Sequence, residues 1–212
     1  MQRSEAMFRF FGRASSGQPK LDSIGFDTAG YDLRGEPSPG QQRVWWTPDG
    51  DGLGVYLFSL PPDLPQAREL VDLRAYYENR MRSAGGTMVE VSLTRFDNCG
   101  AIRTIAKLPQ ASSGFTYVGS LTIPFRAFSF VLKVQSEERG MTGLREAVLT
   151  DRQIAAGGTP AFNADDESFD PEFAQHPISR VRRALDHVAR TARVDATIKA
   201  LPAFTLPSSA IG

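Results

Sequence analysis

Arg43-Val-Trp-Trp-Thr47 and Leu53-Gly-Val-Tyr-Leu-Phe-Ser-Leu60 bracket the stretch Pro48-Asp-Gly-Asp-Gly52. Both flanks are rich in β-branched and aromatic residues, and the residues between them preset turn geometry or accept positive φ. The segment therefore reads as a β-hairpin, the first pair of strands in an antiparallel sheet. Trp45 and Trp46 are adjacent on one strand and must point to opposite sides of the sheet, as must Tyr56 and Leu57. If helices cover one side only, the other carries Trp46 with Tyr56 or Phe58 as an open aromatic patch suited to a partner. If helices cover both sides the ring is simply packed, and full cover is the expectation.

Downstream, Pro61, Pro62 and Pro65 stop the strand. Leu70, Leu73, Tyr77 and Met81 then recur at helical spacing before Gly85-Gly86 ends the segment. Thr87 to Phe96 alternates, with Val89, Val91 and Leu93 on one face and Met88, Glu90, Ser92 and Thr94 on the other. Asp97-Asn-Cys-Gly100 turns this strand, Ala101 to Leu108 continues the sheet, and Phe115 to Gln135 reads as two more strands separated at Pro124. A short helix between Gly140 and Ala156 carries Leu144, Ala147 and Val148 on one face. Thr159 to Gln175 is an acidic loop with neither period, able to dock on the arginines of the helix that follows. His176-Pro177 opens that last helix, in which Ile178, Val181, Leu185, Val188 and Ala192 form an apolar stripe. Arg180, Arg183, His187 and Arg190 lie opposite the stripe.

These elements give an α+β fold, an antiparallel β-sheet packed by helices with a helix near the C-terminus. The expected division is a flexible tail at 1–20, an α+β domain at 21–158, and a segment at 159–212 in which loop, amphipathic helix and tail pack on the domain. Gly30 to Gln42 reads as a further loop.

Composition narrows the function. The chain has 212 residues, with 24 Lys and Arg balancing 24 Asp and Glu, so no net field draws it onto nucleic acid or an anionic membrane. Its longest apolar runs fall far short of the roughly 20 residues of a membrane-spanning helix, and Met1 to Phe11 lacks a secretory apolar core of about 7–15 residues. A single cysteine excludes an intrachain disulfide, and two histidines beside it are a poor stock for a transition-metal site. A cytoplasmic protein with no cofactor and no metal is expected. The preponderance of arginine over lysine reads as coding bias before anion contacts.

Motifs of chemistry are missing. There is no phosphate loop, and Gly50-Asp-Gly-Leu-Gly54 precedes a strand where a dinucleotide loop would open a helix. Asp49 and Asp51 lack the later ligands of a calcium loop and read as a solvated turn. No G-x-S-x-G elbow occurs, and nothing in the sequence brings His176 or His187 to Cys99. Carboxylates between Asp165 and Glu172 sit in a loop, unlike an acid/base pair held across a pocket.

The layout, a hairpin at Arg43 to Leu60, a helix at Leu70 to Met81 ending at Gly85-Gly86, then strands through Gln135, resembles the PsbP-like α/β sandwich superfamily. The resemblance spans about 120 residues. It implies a binding protein, since that superfamily includes photosystem extrinsic subunits, a nuclear-import regulator that binds a small GTPase, and chaperones of secreted effectors. It carries over no functional residue.

The resulting expectation is a non-catalytic protein-binding module of chaperone or adaptor type. Its candidate binding residues are Trp46 and Tyr56 on the sheet and Arg180, Arg183, His187 and Arg190 on the last helix. The alternative is an enzyme whose site is assembled from dispersed residues between sheet and helices. Anion or nucleic-acid binding through the basic helix is a third, weaker reading, and homodimerisation through an uncovered sheet face is left open.

Overall fold

The computed structural model describes residues 17–34, 41–158 and 162–208. Most of the expected N-terminal tail and the middle of the Gly30 to Gln42 loop lie outside the described residues. Seven antiparallel strands form the main sheet: β2 (Asp32–Leu33), β3 (Gln42–Trp46), β4 (Gly52–Phe58), β5 (Thr87–Phe96), β6 (Cys99–Pro109), β7 (Phe115–Pro124) and β8 (Ser129–Glu137). Their spatial order is β2-β3-β4-β8-β7-β6-β5. The helices are α1 (Leu70–Ser83), α2 (Leu144–Ala155), α3 (Pro177–Thr191) and a single turn, α4 (Ala196–Lys199). A two-stranded ladder of β1 (Ile24–Gly25) and β9 (Arg193–Val194) fastens the chain after α3 to the segment before the main sheet.

The hairpin that opens the fold pairs Trp46 with Gly52 and Gln42 with Tyr56. Gly50 takes φ +80° in its turn, and Thr47 closes it by accepting from the Asp51 amide through Oγ1 at 3.0 Å. Asp51 is buried, contrary to the expected solvated turn, because Arg180 reaches it from α3. Asp97 and Asn98 both have positive φ, so they alone form the β5–β6 turn while Cys99 already pairs with Phe96 in the ladder.

One face of the sheet holds the larger core. Leu53, Val55 and Leu57 of β4, Phe130, Leu132 and Val134 of β8, and Tyr117, Leu121 and Ile123 of β7 meet Ile178, Val181, Leu185 and Val188 of α3. Each of these aliphatic side chains contributes about 1.5–3 kcal/mol by leaving water. The other face carries a smaller cluster, in which Leu73 of α1 sits on Val91 and Ile102 with Tyr77, Met88 and Leu93 around them. β5 does not alternate as its sequence suggests. A bulge between Met88 and Glu90 sends Val89 to the α3 side and leaves Met88 with Val91 and Leu93 under α1.

The helix α2 also departs from expectation. Leu144 and Ala147 are exposed and Val148 is half-buried, whereas Arg145 and Leu149 are the buried residues. The inward side of this helix is set by a charged residue whose partners lie in the acidic loop, information the apolar pattern of α2 does not contain.

Gly119 of β7 lies directly beneath α3. A Cβ built there would stand 2.5 Å from Val181 Cγ1 and 2.6 Å from Leu185 Cδ1, closer than real side-chain contacts allow. Gly119→Ala is expected to lift α3 and cost about 1–3 kcal/mol. Urea denaturation measures this, and an unchanged midpoint would show that the helix has room to spare.

Candidate functional site

Two regions present chemistry, one on each face of the sheet. On the α3 face, the loop between α2 and α3 is held by buried arginines. Arg145 is fully buried, and its Nε and Nη2 donate to the carbonyls of Ala164 and Asp166, each at 2.7 Å. Its Nη1 donates to Asp170 Oδ1 and Ser179 Oγ, both at 3.0 Å, and its guanidinium lies over the Phe173 ring. Arg182 of α3 donates to the same Asp170 oxygen at 2.8 Å and to Glu90 Oε1 at 2.6 Å. Lys107 pairs with buried Asp165 at 2.5 Å. The acidic loop thus does dock on arginines, of α2 as well as α3.

This loop delivers His176 to the start of α3, where it serves as N-cap and Nδ1 accepts from the Ile178 amide at 3.4 Å. Pro177 follows at the first helical position, where its missing N–H costs nothing. Burial pushes the imidazole down to about 4, against the opposing pull of Glu146. Glu138, just past β8, faces His176 Nε2 at 3.4 Å and accepts from the Phe115 amide at 2.8 Å and the Gly143 amide at 3.1 Å. Glu146 enters from the first turn of α2. Tyr117 closes the far side, its ring edge-on to His176 and its hydroxyl pushed up by burial and by Asp165. Glu138, Arg145 and His176 also line a cavity of about 900 Å³, with Phe173 and the exposed Met141 at its walls.

Among the described residues, helical cover of the opposite face reaches only half of it, against the expectation of full cover. The helix α1 lies over β5 and β6, and among the described residues no helix lies above β3, β4 and β8 on that side. The register puts Trp46, Tyr56, Phe58, Val131 and Lys133 together there. Gly52 and Gly54 let the rings lie flat on the sheet: a Cβ at Gly54 would touch the Tyr56 ring at 2.9 Å, and one at Gly52 would meet Trp46 at 3.3 Å. Tyr56 stacks on Phe58, with ring centroids 6.4 Å apart, and Lys133 Nζ sits 5.4 Å from the Tyr56 centroid. Phe58 and Leu60 remain 48% and 73% exposed. A groove of about 750 Å³ runs from Phe58 and Leu60, past Pro61 and Pro62, to Tyr76 and Tyr77 of α1. Burial pushes the Tyr77 hydroxyl up to about 12.

The six residues singled out in the sequence therefore fall into two groups. Trp46 and Tyr56 share the uncovered half of the sheet. The α3 residues do not form one free basic face. Arg180 is half-buried, bound to Asp51 at 3.0 Å, to Ser136 Oγ at 2.6 Å and to the Gln175 carbonyl at 2.8 Å. His187 pairs with Asp27 at 3.0 Å. Arg183 and Arg190 are exposed and donate to the carbonyls of Ala174 and Asp186. Glu138, Glu146, Arg145 and Arg182 escaped sequence reasoning, since no residue spacing announces a charge that turns inward.

No protein-family model matches the chain, and no curated protein matches it in sequence. Some solved structures are similar to it. The Ran-binding protein Mog1p of Saccharomyces cerevisiae is 11% identical with a TM-score of 0.46, over 83% of this chain and 93% of that one. Cyanobacterial PsbP from Synechocystis is 11% identical with a TM-score of 0.41, over 87% and 98%. LpqN of Mycobacterium tuberculosis, involved in cell envelope biogenesis, is 11% identical with a TM-score of 0.41, over 81% and 83%. At these scores no residue, partner or activity is transferred from them. Among the described residues, no helix is long and apolar enough to cross a membrane.

Arg145→Met leaves the Asp170 carboxylate and two loop carbonyls short of donors, and is expected to cost about 3–5 kcal/mol. Arg145→Lys keeps the charge but not the planar fork and recovers only part of this. Chemical denaturation of both variants measures the loss; wild-type stability in Arg145→Met would mean that the loop is held without Arg145.

Proposed function

We propose that the protein is a non-catalytic protein-binding module of chaperone or adaptor type, acting in the cytoplasm and docking its partner on the uncovered half of the sheet. One observation carries the reading: Trp46, Tyr56 and Phe58 share one face beside a groove, Trp46 and Tyr56 lying against Gly52 and Gly54 and Tyr56 stacking on Phe58. Aromatic groups that leave water on binding supply most of the energy of an interface. The partner that fits is an extended, largely apolar segment with a carboxylate placed to meet Lys133, which is exposed above the Tyr56 ring. Arg80 at the far end of the groove is already paired with Asp63 and adds little to this preference. On α3, Arg183 and Arg190 form a secondary candidate surface, and Arg180 and His187 are committed within the chain.

A second reading, an enzyme with a dispersed site, is favoured by the cavity onto which Glu138 and His176 converge.

Affinity capture from the native host with the full chain as bait separates the surfaces. A Tyr56→Ser/Phe58→Ser double variant should lose the captured partner by a factor of about 10–100 while melting like the wild type, as expected for two hot-spot residues on an exposed face. An Arg183→Ala/Arg190→Ala variant should retain it. Retention by the sheet variant with loss by the arginine variant would reject the sheet reading, and recovery of only a second copy of this chain would replace it with homodimerisation.

A further inference from the structure

Glu138, Glu146 and His176 arrive from three places, the end of β8, the first turn of α2 and the N-cap of α3. Each brings a potential ligand atom within 4.8 Å of the other two. The side chains of Glu138 and His176 are 4% and 8% exposed. Glu146 Oε1 and Oε2 and His176 Nε2 are enclosed, and among the described residues no group hydrogen-bonds to any of the three. Leaving buried polar atoms unpaired costs about 1–3 kcal/mol each, more when they are charged.

Positive charge nearby is committed elsewhere. Arg145 and Arg182 hold Asp170, Arg182 also holds Glu90, and Lys107 holds Asp165. Among the described residues neither Glu138 nor Glu146 lies within ion-pair distance of an arginine or lysine. The start of α2 supplies the partial positive charge of a helix N-terminus, equivalent to about half a unit, against two carboxylates. The cluster is short of a cation.

We propose that Glu138, Glu146 and His176 form a binding site for one divalent transition-metal ion of the zinc or manganese class. An imidazole with two carboxylates is a donor set that such ions accept, whereas calcium and magnesium favour oxygen alone. Counting cysteine and histidine understates this site, because carboxylates make up two of its three ligands. Glu138 is already aimed by the amides of Phe115 and Gly143. Coordination through Nε2 shifts the ring proton to Nδ1 and gives up the 3.4 Å contact from the Ile178 amide, which is long for a hydrogen bond. Glu138 and His176 also line the neighbouring cavity, so the site lies at its wall. The site stands independently of the docking reading, being on the other side of the sheet.

The test uses the full chain stripped of metal, dialysed separately against Zn²⁺ and Mn²⁺, with bound metal counted by elemental mass spectrometry. Wild-type protein is expected to take up one ion of at least one of the two per chain and to melt at a higher temperature. Glu146→Gln and His176→Asn, the latter keeping a side chain suited to the N-cap, should weaken uptake by at least about tenfold. No stoichiometric uptake of either ion by the wild type overturns the proposal, as does equal uptake by both variants. If a variant fails to fold, X-ray absorption of the metal-loaded wild type decides: scattering from an imidazole supports the site, and an all-oxygen shell rejects it.

Discussion

The guanidinium of Arg145 sits fully out of water, where an unpaired charge costs several kcal/mol, and its surroundings answer that cost donor by donor. The carbonyls of Ala164 and Asp166, the Asp170 carboxylate and the Ser179 hydroxyl meet its fork, with the Phe173 ring beneath it. This arrangement ties together α2, the acidic loop and the start of α3. His176 reaches its position at the head of α3 because the loop ahead of it is held, and the loop is held because Arg145 and Arg182 share Asp170. A loop without regular structure thereby becomes a fixed wall of the cavity.

The main sheet divides the molecule into unequal halves. On one face α3 lies close enough to β7 that Gly119 must have no side chain, and the core there is continuous from β4 to β6. On the other, α1 covers only the β5 and β6 end. Apolar surface near β3, β4 and β8 carries aromatic rings against glycines, with the exposed Lys133 beside the Tyr56 ring. Rigid aromatic groups on a sheet lose little conformational freedom when they bind, which suits them to docking.

The hairpin at 43–60, the helix at 70–83 and the strands through Glu137 were legible because each is set by local rules: turn residues between β-formers, helical spacing closed by paired glycines, alternation, and proline as a stop. The α3 stripe was legible for the same reason, as was His176 at the opening of that helix. The reading failed where an extra or charged residue broke the period. The β5 bulge moved Val89 away from Val91, and α2 turned Arg145 inward while leaving Leu144 in solvent. In each case the deciding partner lies far along the chain, on β6 or in the acidic loop.

By itself, then, the sequence determined the kinds of elements, their order and the opposed directions of Trp45 and Trp46, since these follow from backbone preference and from the two-residue period of a strand. Only the tertiary structure decided that α1 leaves half a face bare, that Arg180 is spent on Asp51, and that Glu138, Glu146 and His176 converge. Whether a charged side chain is buried depends on the partners that meet it in space, and those partners are brought together only when distant segments pack.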